Sequence, residues 1–268
     1  MAVIVAAGRR FEVDAVVFDK DGTLVDFDRL WGPRTVRWVE SLANLTGRPQ
    51  LAAALYRALG YDSHSAAFVP DGPLAIATTN DVYALAAGVL FQHGFGWHES
   101  WPLVTRAAAN TLAAPPDAAE IRPRGDVAGT LRRLRAAGVL VGVATNDERA
   151  FTKAMLVQMG VAGEVSSMVC ADDGLPPKPD PAGLRRLASE LGTIPARLAM
   201  IGDSANDMLF GRNAGVAACI GVSGGAGDAQ SLERFADVVV AGVEEIRLGN
   251  QSSREDRYSS SGSSSSST

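Results

Sequence analysis

Six short apolar runs, most of them rich in β-branched residues, recur along this chain: Ala15 to Phe18, Leu140 to Thr145, Val165 to Ala171, Leu198 to Gly202, Ala217 to Val222 and Val238 to Ala241. Runs of this length without polar alternation read as strands buried on both faces. Between them lie helical patterns, Asp126 to Ala137, Asp147 to Met159, Asp180 to Leu191 and Asn206 to Ala214, each followed directly by a glycine suited to a helix end. Alternating strands and helices imply a parallel sheet, because parallel neighbours need a long crossover and a helix supplies it. The expected class is therefore α/β, with a doubly wound parallel sheet.

One interval breaks the alternation. Between the first of these strands and the second, Leu30 to Leu45, Leu51 to Leu59, Asp81 to His93 and Trp101 to Leu112 carry helical periodicity, and the chain returns through Ala114, Pro115 and Pro116. An insert of that size must bury its own apolar faces. The expected organisation is a core formed by 1–25 and 117–249, an all-helical cap at 26–116, and a disordered serine-rich tail at 250–268, where QSSREDRYSSSGSSSSST offers almost nothing to bury.

The composition excludes several classes. A hydrophobic fraction of 47% with 21% charged residues is that of a folded chain. Lys and Arg number 25 against 30 Asp and Glu, a formal charge of −5, so there is no basic footprint for nucleic acid. Cys170 and Cys219 each sit within an apolar run, as small core residues do. Arg9 and Arg10 follow the short N-terminal apolar stretch instead of preceding it, the reverse of a secretory signal, and no run reaches the roughly 20 apolar residues of a membrane span. A cytoplasmic protein with neither nucleic-acid nor membrane partners, monomer or homodimer, is expected.

Two apolar runs end in paired carboxylates. Phe18-Asp19-Lys20-Asp21-Gly22-Thr23-Leu24 delivers two acids to the carboxyl end of a strand, the edge where open parallel sheets bind ligands. With a two-residue period Asp19 and Asp21 face one way and Lys20 the other, while Gly22 permits a turn that brings backbone N–H groups toward an anion. Read alone, the segment is equally an Asp-Gly turn. Ile201-Gly202-Asp203-Ser204-Ala205-Asn206-Asp207 repeats the pattern, with helix capping by Asp203 or Ser204 as the plain alternative. Acids gathered this closely repel one another unless a divalent cation holds them, and oxygen-only ligands point to Mg²⁺. Two further strand ends add Thr145 and Asn146, which either donate to phosphoryl oxygens or cap a helix. Pro177-Lys178-Pro179 adds a lysine that either meets an anion or sits solvated in a loop.

Taken together and in this order, DKDGTL from Asp19, the hydroxyl at Thr145, KPDP from Lys178 and GDSANDM around Asp203 resemble the haloacid dehalogenase superfamily of phosphatases. The pattern is that of its phosphoglycolate phosphatase-like members with a helical cap. The likeness spans Ala15 to Gly242, and the insert matches only in position and helical character. It implies a Rossmann-like core in which the first and fourth strands lie side by side, the fifth beyond the fourth, and the second and third beyond the first. It also implies Mg²⁺-dependent hydrolysis of a small phosphorylated metabolite, phosphoglycolate-like or a sugar phosphate.

By that resemblance Asp19 is the nucleophile and Asp21 the acid and base. Thr145 and Lys178 are the further catalytic residues. Asp21, Gly22, Thr145, Asn146 and Lys178 bind phosphate. Asp19, the Asp21 carbonyl and Asp203 hold Mg²⁺, with Ser204 and Asp207 supporting them from behind or through water. A phosphomutase on the same scaffold, or a binding protein that has kept the fold and lost turnover, are the alternatives. Dehalogenation is disfavoured, because displacing a halide needs no proton donor such as Asp21.

The rest of the chain yields weaker expectations. Substrate selection falls to the cap, with the segment from Tyr61-Asp62-Ser63-His64-Ser65 to Pro73 as the loop that covers the site, and Arg34, Arg37 and His64 as readers of an anionic substrate. His64, His93 and His98 lack a helical i, i+4 pair and do not make a metal set. Trp31, Trp38, Trp97 and Trp101 are expected in the cap core. Gly221 to Gly227 lacks the spacing of a dinucleotide loop and is expected near the edge of the core.

Overall fold

The computed structural model describes residues 1–249; the serine-rich end expected to be disordered lies outside the described residues. The chain opens on a hairpin, β1 (Ala2–Ala6) and β2 (Arg9–Val13), that the sequence reading left unassigned. Its two-residue turn places Ala7 at φ 45° and Gly8 at φ 76°, the backbone whose twist matches the flanking strands. Alternate residues Ile4, Ala6, Phe11 and Val13 join the main apolar core, while Arg9, Arg10 and Glu12 face water.

The main sheet has six parallel strands. In chain order they are β3 (Ala15–Phe18), β6 (Leu140–Ala144), β7 (Ser167–Val169), β8 (Leu198–Gly202), β9 (Ala218–Val222) and β10 (Val238–Val240). Their spatial order is β10-β9-β8-β3-β6-β7, the implied arrangement with one more strand on the outer side of β9. The last strand, β11 (Arg247–Leu248), pairs with β1 instead. Both faces of the main sheet are covered. Val16 and Phe18 pack on one side with Leu131 of α6 (Val127–Ala136), and Ala15 and Val17 on the other with Leu184 and Leu187 of α8 (Ala182–Glu190). This two-sided burial is why the strands read as uninterrupted apolar runs. Phe18 lies in register with Val143 on one side and Ile201 on the other, so the chain leaves three adjacent strands level with one another.

The helical insert begins with α1 (Phe27–Thr46), started by the Asp26 side chain accepting from the Arg29 N–H and ended by Gly47 at φ 64°. α2 (Leu51–Leu59), a short hairpin of β4 (Tyr61–Asp62) and β5 (Ala67–Phe68), the single turn α3 (Pro73–Ile76), α4 (Thr79–Gln92) and α5 (Trp97–Ala109) follow. Trp38, Leu42, Leu55, Leu90 and Val104 form a separate apolar core among these helices. Of the four tryptophans only Trp38 is fully buried. Trp97 and Trp101 are 53% and 36% exposed on the outer side of α5, contrary to the expectation of a shared core.

Arg34 also departs from expectation. It is buried at 1% exposure, and its guanidinium donates to the carbonyls of Thr111, Leu112, Ala114 and Pro115 and to Glu120 at 2.6 Å. Both terminal nitrogens are committed to the returning chain and the residue does not line the cavity, so it is not placed to read a substrate anion. Arg37 is turned to the other oxygen of Glu120. No helix among the described residues is long and apolar enough to cross a membrane.

Candidate active site

Level strand ends bring residues from four distant stretches to one sheet edge. Asp19 follows β3, Thr145 to Asp147 follow β6, Lys178 precedes α8, and Asp203 and Asp207 flank the start of α9 (Ala205–Ala214). Carboxylate oxygens of Asp19, Asp203 and Asp207, all buried, lie within 4.8 Å of one another. Lys178 Nζ sits 2.6 Å from Asp19 Oδ1 and 2.7 Å from Asp207 Oδ1. Burial opposes charge on this lysine, yet the Asp19 and Asp207 carboxylates outweigh it and hold the ammonium well above its ordinary pKa. Ser204 and Asp207 form a reciprocal cap: the Ser204 hydroxyl donates to Asp207 Oδ2 at 2.6 Å and the Asp207 N–H to Ser204 Oγ. Capping and convergence on the site are thus achieved by the same residues.

Asp203 is held from both sides. The Thr23 hydroxyl donates to Oδ1 at 2.8 Å and the Ala226 N–H to Oδ2 at 2.7 Å. The second contact assigns a part to the Gly221–Gly227 loop that its sequence did not announce: it clamps an acid of the cluster. Two glycines make room for that carboxylate. Gly22, at φ 83°, and Gly225 both approach so closely that a Cβ on either would collide with it. The Gly22 N–H donates to the Val25 carbonyl, so the expected donation to a phosphate from this amide is corrected: the turn itself consumes it. Arg124, which the sequence reading passed over, donates to the carbonyls of Gly22 and Ser223 and ties the two loops together.

Lys20 is the main surprise. A strict two-residue alternation sends it away from the site, but its ammonium curls back, fully buried, between Asp21 and Asp147 Oδ2, the latter at 2.7 Å. The rings of Trp31 and Phe151 lie 5.6 and 5.3 Å away. Asp21 thereby keeps one oxygen on Lys20, while its other oxygen, Oδ1, is buried without a hydrogen-bond partner. Thr145 Oγ1 accepts from the Asp147 N–H at 3.1 Å, which leaves the hydroxyl proton to give. The Asn146 side-chain amide is turned toward the insert: Nδ2 donates to the Ile76 carbonyl at 2.8 Å and so fastens the insert to the core, which leaves only the Asn146 backbone N–H for the expected phosphate contact.

Burial and the neighbouring carboxylates push the Asp19 carboxyl well above the usual range, against the pull of Lys178. Burial, with the repulsion of Asp207 behind it, raises Asp203 to about 7. Five carboxylates (Asp19, Asp21, Asp147, Asp203, Asp207) crowd two ammonium groups (Lys20, Lys178), and their repulsion adds to burial in raising Asp19, Asp147 and Asp203. A hard divalent cation would favour their ionised form, and the all-oxygen cluster of Asp19, Asp203 and Asp207 fits one. Asp207 brings an oxygen near this cluster while its carboxylate is also engaged by Lys178 and Ser204.

The haloacid dehalogenase-like hydrolase model matches residues 13–215, which take in the five carboxylates and both lysines of the site. The chain belongs to the haloacid dehalogenase-like hydrolase family. Among curated members of this family, the phosphoglycolate phosphatase of Rhodospirillum rubrum is 30% identical, covering 75% of this chain and 76% of that protein. The N-acetylmuramic acid 6-phosphate phosphatase of Pseudomonas aeruginosa is 26% identical, over 77% of this chain and 80% of its own. Solved structures of a predicted phosphoglycolate phosphatase from Haemophilus somnus (TM-score 0.60, 18% identity, 86% and 95% covered) and of a HAD phosphatase from Thermococcus onnurineus (0.59, 19%, 87% and 95%) share the fold.

The structure places the remaining sequence candidates outside this site. His64 is exposed, and its N–H donates to Asp62 within a local turn. The residues that reach the cavity from above are not 61–73 but those just after them, Leu74 to Ala77.

Proposed function

We propose that this hydrolase is a Mg²⁺-dependent phosphatase of small phosphomonoesters that works through an aspartyl-phosphate on Asp19. The observation that carries the reading is the convergence of Asp19 with Lys178, Asp203 and Asp207 beside Asp21 at one open cavity. An Asp19 carboxylate oxygen bonds to phosphorus as the bond to the substrate alcohol oxygen breaks, and Asp21 gives its proton to the departing alkoxide. The Asp21 carboxylate, whose Oδ1 has no competing partner, then takes a proton from water. The water oxygen bonds to phosphorus, the bond to Asp19 breaks, and inorganic phosphate leaves with both acids restored. Lys178 and the Thr145 hydroxyl oppose charge on the transferred group, at roughly 3 kcal/mol per donor. Asp19, Asp203 and Asp207 would hold Mg²⁺, which supplies charge neutralisation of the phosphoryl oxygens when bound.

The direct test is release of inorganic phosphate from a small phosphomonoester, p-nitrophenyl phosphate, with acetyl phosphate beside it. Turnover is expected with Mg²⁺, loss on EDTA treatment, and recovery when Mg²⁺ is returned; absence of release under all three conditions overturns the reading. Turnover without any bisphosphate primer separates hydrolysis from a mutase reaction.

The clamp on Asp203 supports a second prediction. Gly225→Ala drives a methyl group into that carboxylate without needing a left-handed backbone, so Mg²⁺ affinity measured by calorimetry should fall by about 10- to 100-fold. Unchanged affinity would remove Asp203 from the ion's ligands.

A further inference from the structure

The floor and the roof of the cavity are chemically opposite. The floor holds the acids, Lys178, Thr145 and Asn146, whereas the insert contributes Phe27, Trp31, Leu74, Ile76, Val82 and Leu112, with Thr79 as its only hydroxyl. Phe27 and Trp31 are one helical turn apart on α1, so both project to the same side. Each is braced by a second ring: Phe27 edge-on to Phe68 at 4.6 Å, Trp31 stacked on Phe151 at 5.3 Å. The aromatic wall is therefore fixed before any ligand arrives.

Cations are missing from that roof. Lys178 is the single basic residue among the described residues lining the cavity, and it is engaged by Asp19 and Asp207. The basic groups around it are committed elsewhere: Lys20 to Asp21 and Asp147, Arg34 to backbone carbonyls and Glu120, Arg124 to two loop carbonyls. A carboxylate or second phosphate carried by the substrate's alcohol would lose its water against Phe27, Trp31 and Ile76 with no counter-charge to replace it.

From this contrast, and resting on the phosphatase reading above, we infer that the site takes phosphomonoesters of an uncharged, largely apolar alcohol, aryl or alkyl, and disfavours those bearing a second anionic group. The phosphoglycolate named for several relatives falls in the disfavoured class.

Phosphate release from benzyl phosphate, hexyl phosphate, phosphoglycolate and acetyl phosphate tests the inference, with kcat/KM measured for each. Benzyl and hexyl phosphate should exceed phosphoglycolate by about 10²-fold. Ile76→Arg, which places a guanidinium in the roof, should narrow that ratio about 10-fold or more. If phosphoglycolate equals or exceeds benzyl phosphate while acetyl phosphate is hydrolysed, the substrate class is wrong and the phosphatase reading stands. If acetyl phosphate and all the others are inert, the phosphatase reading fails and the inference with it. The wild-type comparison decides the question even where Ile76→Arg does not fold.

Discussion

Asp19→Asn should abolish phosphate release from acetyl phosphate, by at least about 10⁴-fold in kcat, because no other group can take its place as nucleophile. The same substitution should leave the metal-free protein as stable as the wild type or more so, by about 1 kcal/mol. Asp19 stands buried among like charges that push its carboxyl well above the usual range, and a neutral amide removes one of them while Lys178 keeps its contact with Asp207. Stabilisation by Mg²⁺ should shrink in parallel. Thermal melts with and without Mg²⁺, beside a phosphate-release assay, check both halves. Retained turnover would displace Asp19 from its role, and a sharply lowered melting temperature without metal would contradict the charge argument.

Lys20→Met should cost about 3 to 5 kcal/mol of folding stability, measured by urea unfolding. The methionine fills much of the same space under Trp31 and Phe151, so the loss comes mainly from charge. Two carboxylates, Asp21 and Asp147, are left facing each other without the ammonium that now lies between them. Burial already raises Asp147 to about 7 despite the pull of Lys20, with Asp21 adding to the rise. Without that pull, one carboxyl must take up a proton on folding. A carboxyl whose folded pKa is raised contributes stability at low pH that is lost as pH rises, so the deficit should be larger above neutrality than below it. Asp147→Asn in the Lys20→Met background should recover much of the loss, which makes the pair a double-mutant cycle. A wild-type urea midpoint for Lys20→Met would show that the ion cluster contributes nothing.

The core strands were legible because both of their faces are buried, so β3, β6, β8 and β9 announce themselves as unbroken apolar runs. The β1–β2 hairpin was not: only one of its faces is covered, its turn is Ala-Gly rather than a stronger turn pair, and Arg9 and Arg10 drew attention to targeting instead. The acids were legible for the complementary reason, since paired carboxylates at two strand ends have few structural explanations. Lys20 was misplaced because alternation describes where a Cβ points, whereas a long flexible stem can carry its charge back around the strand end. Arg34 shows the same limit. Its residue type suggested a ligand, and nothing in its neighbours along the chain reveals that its partners are backbone carbonyls 77 to 81 positions away. The Gly225 contact is likewise a meeting of distant segments, readable only once Asp203 has a position.

The Arg34 clasp has an architectural outcome. By riveting the outgoing helix to the returning chain, it closes an excursion of some eighty residues at its neck, in addition to the tie that Asn146 makes to Ile76. The strand register beneath is thereby insulated from what the excursion carries, while the reach of Asn146 to Ile76 keeps the roof in step with the reaction centre.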